Sequence, residues 1–173
     1  PDARLQITAP PAVTQIKLAL INSDFQTGPL SAEVVQAVTA KPAYWAFCWG
    51  SGLALARWLL QNPEAVANKR VADVGCGCGI GAIAAKMAGA AHVIACDNDP
   101  DALVNAQANA RLNDVHLAFC ADIAHLDGDL DLILMADVLY PSGSEMQLVQ
   151  ARDLEATVRA LVARGCLLYT SPS

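Results

Sequence analysis

The chain has no cluster of lysine or arginine: 11 basic residues are scattered among 17 acidic ones, giving a net charge of −6. Without a positive patch there is nothing to hold a nucleic-acid backbone or an anionic membrane surface. A basic protein target or a small molecule suits this balance better. No apolar stretch is long and unbroken enough to span a bilayer, and the first residues lack the charged start, apolar centre and small-residue cleavage site of a signal peptide. A cytoplasmic location is therefore expected. Repeated CxxC spacing is also missing, although there are six cysteines: Cys48, Cys76, Cys78, Cys96, Cys120 and Cys166. They lie in apolar or glycine-rich contexts, which favours reduced thiols packed as small apolar groups over disulfides. Cys76 and Cys78 have no second ligand pair and no nearby histidine, so no metal site is expected.

What the chain does have is apolar residues, 54% of its 173 positions. That supports one domain with a sizeable core. Residues 1–42 contain scattered prolines and no sustained period, and read as an irregular N-terminal segment with a short helix over Ser31 to Ala40. A helix is predicted from Ser51, where Leu53, Leu55, Ala56, Leu59 and Leu60 recur at helical spacing until Asn62-Pro63 ends it. Strands are predicted over Val71 to Val74, His92 to Cys96, Val115 to Cys120 and Leu130 to Ala136. Between them lie helices over Gly79 to Ala88 and from Asp99-Pro100 to about Leu112, with Asp99 as cap and Pro100 in the first turn. A last long helix is read over Gln147 to Ala163. Strands separated by helices of this length imply an α/β fold: a Rossmann-like, doubly wound, mainly parallel sheet with helices on both faces.

The first strand runs into Asp73-Val-Gly75-Cys-Gly77-Cys-Gly79-Ile-Gly81, a turn whose glycines let the backbone bend sharply and approach a ligand closely. Asp97 follows roughly 20 residues later, where a carboxylate can accept hydrogen bonds from both ribose hydroxyls. Two nucleoside ligand classes use this plan. A dinucleotide brings an anionic pyrophosphate and prefers a helix N-terminus without carboxylates beside it. S-adenosylmethionine brings a sulfonium and an ammonium. The loop opens with Asp73, and no lysine or arginine occurs between Val71 and Ile83, which favours the cation. Counting Asp122 and Asp137, four predicted strands end in a carboxylate at the edge where open parallel sheets bind ligands.

Tyr44-Trp-Ala-Phe-Cys-Trp-Gly-Ser-Gly52, Asn62-Pro63, the Asp73 glycine loop with Ala82 to Lys86, Asp97-Asn-Asp-Pro100 and Asp137-Val-Leu-Tyr140 together resemble a seven-strand (class I) S-adenosylmethionine-dependent methyltransferase. Within that superfamily they most resemble the electron transfer flavoprotein beta-subunit lysine methyltransferases. Gly50 and Leu139 depart from the family's frequent Pro and Phe. The resemblance implies that Asp73 and the backbone of Gly75, Gly77 and Gly79 hold the methionine part of the cofactor. It implies that Asp97 binds ribose, that Asp122 and Ile123 lie along adenine, and that Trp49, Ser51 and Gly52 close the pocket. Asp137 and Tyr140 would face the methyl group and the incoming lysine of a protein substrate.

Blander assignments stand beside these. Trp45 and Trp58 read as core or helix-packing residues, Tyr140 can close the sheet edge, and Lys86, His92, His116 and His125 complete no catalytic group. A methyltransferase of a small molecule or a ribosomal protein, a nicotinamide-dependent oxidoreductase and a non-enzymatic cofactor-binding module are the alternatives. The last eight residues, Cys166 to Ser173, resemble translated sequencing adapter. The methyltransferase domain is accordingly expected to cover residues 43–165 and to stop before its last strands.

Overall fold

The computed structural model of the chain describes residues 3–24, 36, 41–126, 129–136, 138, 156, 159–160, 162 and 167–170. The elements are β1 (Leu5–Thr8), β2 (Leu18–Ile21), α1 (Gly50–Gln61), β3 (Arg70–Val74), α2 (Ile80–Met87), β4 (His92–Cys96), α3 (Pro100–Leu112), β5 (Ala118–Cys120), β6 (Leu132–Met135) and β7 (Leu167–Thr170). Five strands form a sheet in the order β5-β4-β3-β6-β7, and every pairing in it is parallel.

The central strands are buried on both faces, which is why they read as continuous apolar runs rather than alternations. Val71, Val93, Leu132 and Leu134 meet α1, α2 and Ala106 of α3 on one face, while Ala72, Val74, Ile133 and Met135 pack with Leu126 and Leu130 on the other. The register sets Val74 opposite both Cys96 and Met135, and Cys96 opposite Cys120. The strands therefore finish level, and Gly75, Asp97 and the segment leading to Asp122 leave from one edge.

Each described helix follows from its sequence. In α1, Leu55, Ala56 and Leu59 are buried at helical spacing, and the chain leaves the helix at Asn62 before Pro63. Helix α2 buries six successive residues, Ile80 to Ala85, most of them small enough to let it sit close on the sheet and α1. At α3 the Asp99 side chain accepts the Asp101 amide at 2.9 Å and Pro100 occupies the first turn, a cap in which the proline's missing N–H costs nothing.

Three expectations are corrected. Over residues 3–24 the N-terminal segment is not irregular: β1 and β2 form an antiparallel ribbon, with Leu5 opposite Ile21 and Thr8 opposite Leu18. Val13, Ile16, Leu18 and Leu20 join the same core as α1 and α2. Strands of four residues with Pro10 and Pro11 between them carry too little alternation to be seen as a period. At the other end, Leu167–Thr170 pairs with β6, where the expectation had the sheet stop. Strand β5 is shorter than expected, because Asp114 turns with φ 53° and the Val115 amide closes on the Ala110 carbonyl. The helices expected over 31–40 and 147–163 lie outside the described residues, apart from residues 36, 156, 159–160 and 162, which are helical.

Candidate cofactor site

The turn from β3 into α2 passes three glycines with positive φ: Gly75 at 70°, Gly77 at 51° and Gly79 at 80°. At Gly79 a side chain is excluded twice, by this backbone and because a Cβ would stand 3.0 Å from Ala106 Cβ. Gly77 differs. Among the described residues a Cβ there would meet only Trp45 Cα, at 4.0 Å, and none of them fills the space over its backbone that a ligand would take.

Asp97, at the end of β4, reaches across to this turn. Its Oδ2 accepts the Gly77 amide at 2.8 Å and its Oδ1 accepts the Asp99 amide at 3.0 Å. The two pieces of the sequence pattern, 20 residues apart, are thus one hydrogen-bonded unit. Burial raises the Asp97 carboxyl above its usual range, against the lowering effect of the Asp99 and Gly77 amides.

Asp73 faces inward. Alternation puts it on the same side of β3 as Val71, beneath α2, where it is 4% exposed. Its Oδ2 accepts the Ala82 amide at 2.7 Å, and a Cβ on Gly81 would stand 2.8 Å from the same oxygen. Gly81 is therefore the residue that lets α2 approach the carboxylate. Burial pushes the Asp73 carboxyl up to about 7, with the Ala82 hydrogen bond opposing and the nearby Asp97 charge adding to the rise. A cation beside the loop would stabilise its ionised form.

From the N-terminal side, α1 presents Trp49, Ser51 and Gly52. The Trp49 indole donates to the Tyr44 carbonyl at 2.9 Å, and its ring lies 6.0 Å from Tyr44 and 5.7 Å from Phe47, centre to centre. Ser51 Oγ is buried without a hydrogen-bond partner among the described residues. A Cβ on Gly52 would be 3.4 Å from Ile80 Cγ2, so α1 sits close against the start of α2. Asp122 is exposed; its Oδ1 accepts the Ala124 amide at 2.9 Å and starts a 3-10 turn over Ile123–His125. Ile123 packs on the second core face. Asp137 and Tyr140 lie outside the described residues.

Trp58 packs against the core, as its sequence context suggests. The asparagines of α3 went unnoticed in the sequence. Asn109 donates to the Cys78 carbonyl within the glycine turn at 2.9 Å, and Asn105 donates to the Trp45 carbonyl at 3.2 Å. Their spacing of four residues on a buried helical face was the available signal. The five described cysteines are free, and no cluster of metal-ligating side chains occurs among the described residues.

An open backbone at Gly77, a carboxylate at ribose distance along the chain, an unpartnered buried hydroxyl and no cation in the turn fit S-adenosylmethionine better than a pyrophosphate. Fold and site resemble those of one class of protein, the class I S-adenosylmethionine-dependent methyltransferases. Within it, the family model for ribosomal protein L11 methyltransferase (PrmA) matches residues 56–141. The electron transfer flavoprotein beta subunit lysine methyltransferase of Danio rerio is 44% identical over 100 residues, a match covering 56% of this chain and 39% of that protein. Its counterpart from Xenopus laevis is 46% identical over 100 residues, covering 56% and 41%. The chain thus matches about two fifths of the length of these relatives. A crystal structure of ribosomal protein L11 methylase from Lactobacillus delbrueckii subsp. bulgaricus superposes with TM-score 0.56 at 28% identity, over 72% of this chain and 61% of that one.

Proposed function

We propose that the protein transfers a methyl group from S-adenosylmethionine to a lysine of a protein substrate, of the kind named for its vertebrate relatives, the electron transfer flavoprotein beta subunit. The observation that carries the cofactor assignment is the Asp97 carboxylate closing on Gly77 beside a turn that holds no cation. The substrate assignment rests on the likeness to the two vertebrate lysine methyltransferases.

The bound cofactor supplies a methyl group on a positively charged sulfur, already activated as a leaving group. The chain has chiefly to align an amine with it. In this reading the turn from Gly75 to Gly79 and the Ser51 hydroxyl hold the methionine part, Asp97 the ribose, and Asp122 with Ile123 the adenine. Asp73 acts from below by fixing the first turn of α2 and by adding negative charge near a cation. Asp137 and Tyr140 receive the lysine. A lysine amine has a pKa of about 10.4, and a carboxylate beside it raises that value. Asp137 therefore binds and orients the lysine, whose proton leaves to water as the amine nears the sulfonium.

A cytoplasmic setting belongs to the same proposal; no described helix is long and apolar enough to cross a membrane. A second reading, methylation of a ribosomal protein, is favoured by the matching family model. Incubation with isotopically labelled cofactor and each protein separately decides between them. Label on a lysine of the flavoprotein subunit supports the first reading and label only on the ribosomal protein the second. Labelling of neither by a chain that binds S-adenosylhomocysteine would sink both substrate assignments.

A further inference from the structure

Asn109 is 0% exposed, the most deeply buried polar side chain among the described residues. Burying an amide is costly unless both of its ends are satisfied, and here they are. Its Nδ2 donates to the Cys78 carbonyl at 2.9 Å and its Oδ1 accepts the Ala19 amide of β2 at 2.7 Å. One turn on, Asn113 makes a similar pair with Lys17, accepting its amide at 2.8 Å and donating to its carbonyl at 2.7 Å. Asn105, one turn back, reaches the Ala19 carbonyl at 3.4 Å as well as the Trp45 carbonyl at 3.2 Å. The row holds β2 along α3, but only Asn109 touches the glycine turn.

The peptide group it touches is one of three in the turn that precede a glycine with positive φ. The Cys78–Gly79 peptide precedes a glycine with φ 80°, and glycine accepts either sign of φ at little cost. In the observed orientation its oxygen is held by Asn109 and its N–H by the Cys76 carbonyl at 2.7 Å. Its neighbour, the Gly77 amide, points to Asp97.

We propose that Asn109 is a positioning residue of the cofactor site, fixing the Cys78–Gly79 peptide in its ligand-ready orientation and tying the glycine turn to the N-terminal ribbon. This rests on the reading of the turn as the cofactor's cradle.

The variant N109D keeps the acceptor for Ala19 and, once ionised, loses the donor to Cys78. N113D makes the matched change at Lys17, away from the turn. S-adenosylhomocysteine affinity is measured by calorimetry at pH 8, with amide exchange at Gly79 followed by NMR. N109D is expected to bind about tenfold more weakly and to exchange faster at Gly79, while N113D stays within about twofold of the unaltered chain on both readouts. Equal affinities for all three proteins, or equal losses in both variants that track thermal stability, would overturn the proposal. If the unaltered chain does not bind, the cofactor reading fails, and Gly79 exchange decides alone: faster only in N109D supports the positioning role, unchanged refutes it. Should N109D not fold, N109S, too short to reach Cys78, is read in the same way.

Discussion

Asp73 makes the folded chain sensitive to pH in a direction opposite to that of most carboxylates. Its carboxyl is moved from 3.8 in the unfolded chain to about 7 in the fold. The folded state therefore holds the proton between those values while the unfolded state has released it, and stability falls as pH rises through that window. At 1.36 kcal/mol for each pH unit, the ionised carboxylate costs the fold about 4 kcal/mol relative to the neutral acid. The variant D73N removes the charge and keeps an oxygen for the Ala82 amide. The assay is denaturant unfolding of both proteins from pH 4 to pH 8. The difference in unfolding free energy, variant minus unaltered, should grow by about 4 kcal/mol across that range, most of it gained between pH 4 and 7. Parallel profiles would refute the reasoning. A cationic ligand next to the loop should stabilise the carboxylate, so binding of S-adenosylmethionine near pH 6 should release a proton from the unaltered chain that D73N does not release. Calorimetry in buffers of different ionisation enthalpy reads that proton directly.

Replacing Asp97 by Ala removes the acceptor of the Gly77 and Asp99 amides together with the proposed ribose contact, and should weaken S-adenosylhomocysteine binding at least tenfold; unchanged affinity in a titration would reject the contact. The substitution Asp137→Asn should lower the rate of methyl transfer far more than cofactor affinity, which single-turnover kinetics beside calorimetry can separate; equal losses would remove its role in orienting the lysine. Gly79→Ala should lower unfolding free energy by about 1–3 kcal/mol, since an alanine must adopt a left-handed backbone with its Cβ 3.0 Å from Ala106. Denaturant unfolding checks this, and a variant as stable as the original would show that the turn relaxes without cost.

The sheet was legible because strands buried on both faces leave uninterrupted apolar runs, and because Asp99-Pro100 and Asn62-Pro63 punctuate the helices with unambiguous chemistry. Spacing alone put the Asp97 carboxylate near the glycine turn, but not its hydrogen bond to the Gly77 amide. Other features were hidden for physical reasons. The ribbon of β1 and β2 depends on side-chain bonds from Asn109 and Asn113, contacts distant in sequence that no local period announces. The inward direction of Asp73 follows from alternation with Val71 on a strand whose partners bury both faces, which requires knowing that α2 lies above that side. Asp137 and Tyr140 rest on resemblance, and the described residues do not include them.

The two oxygens of Asp97 each take one backbone amide, from Gly77 and from Asp99. The Asn98 amide acts on the same carboxylate; with about four lone-pair sites on its two oxygens, the group still has acceptor capacity for a ligand hydroxyl. Turn closure and the proposed sugar contact would thus share one carboxylate without competing for it. An adenosine lacking its 2′-hydroxyl should consequently lose one contact without loosening the turn, whereas a change at the carboxylate disturbs both.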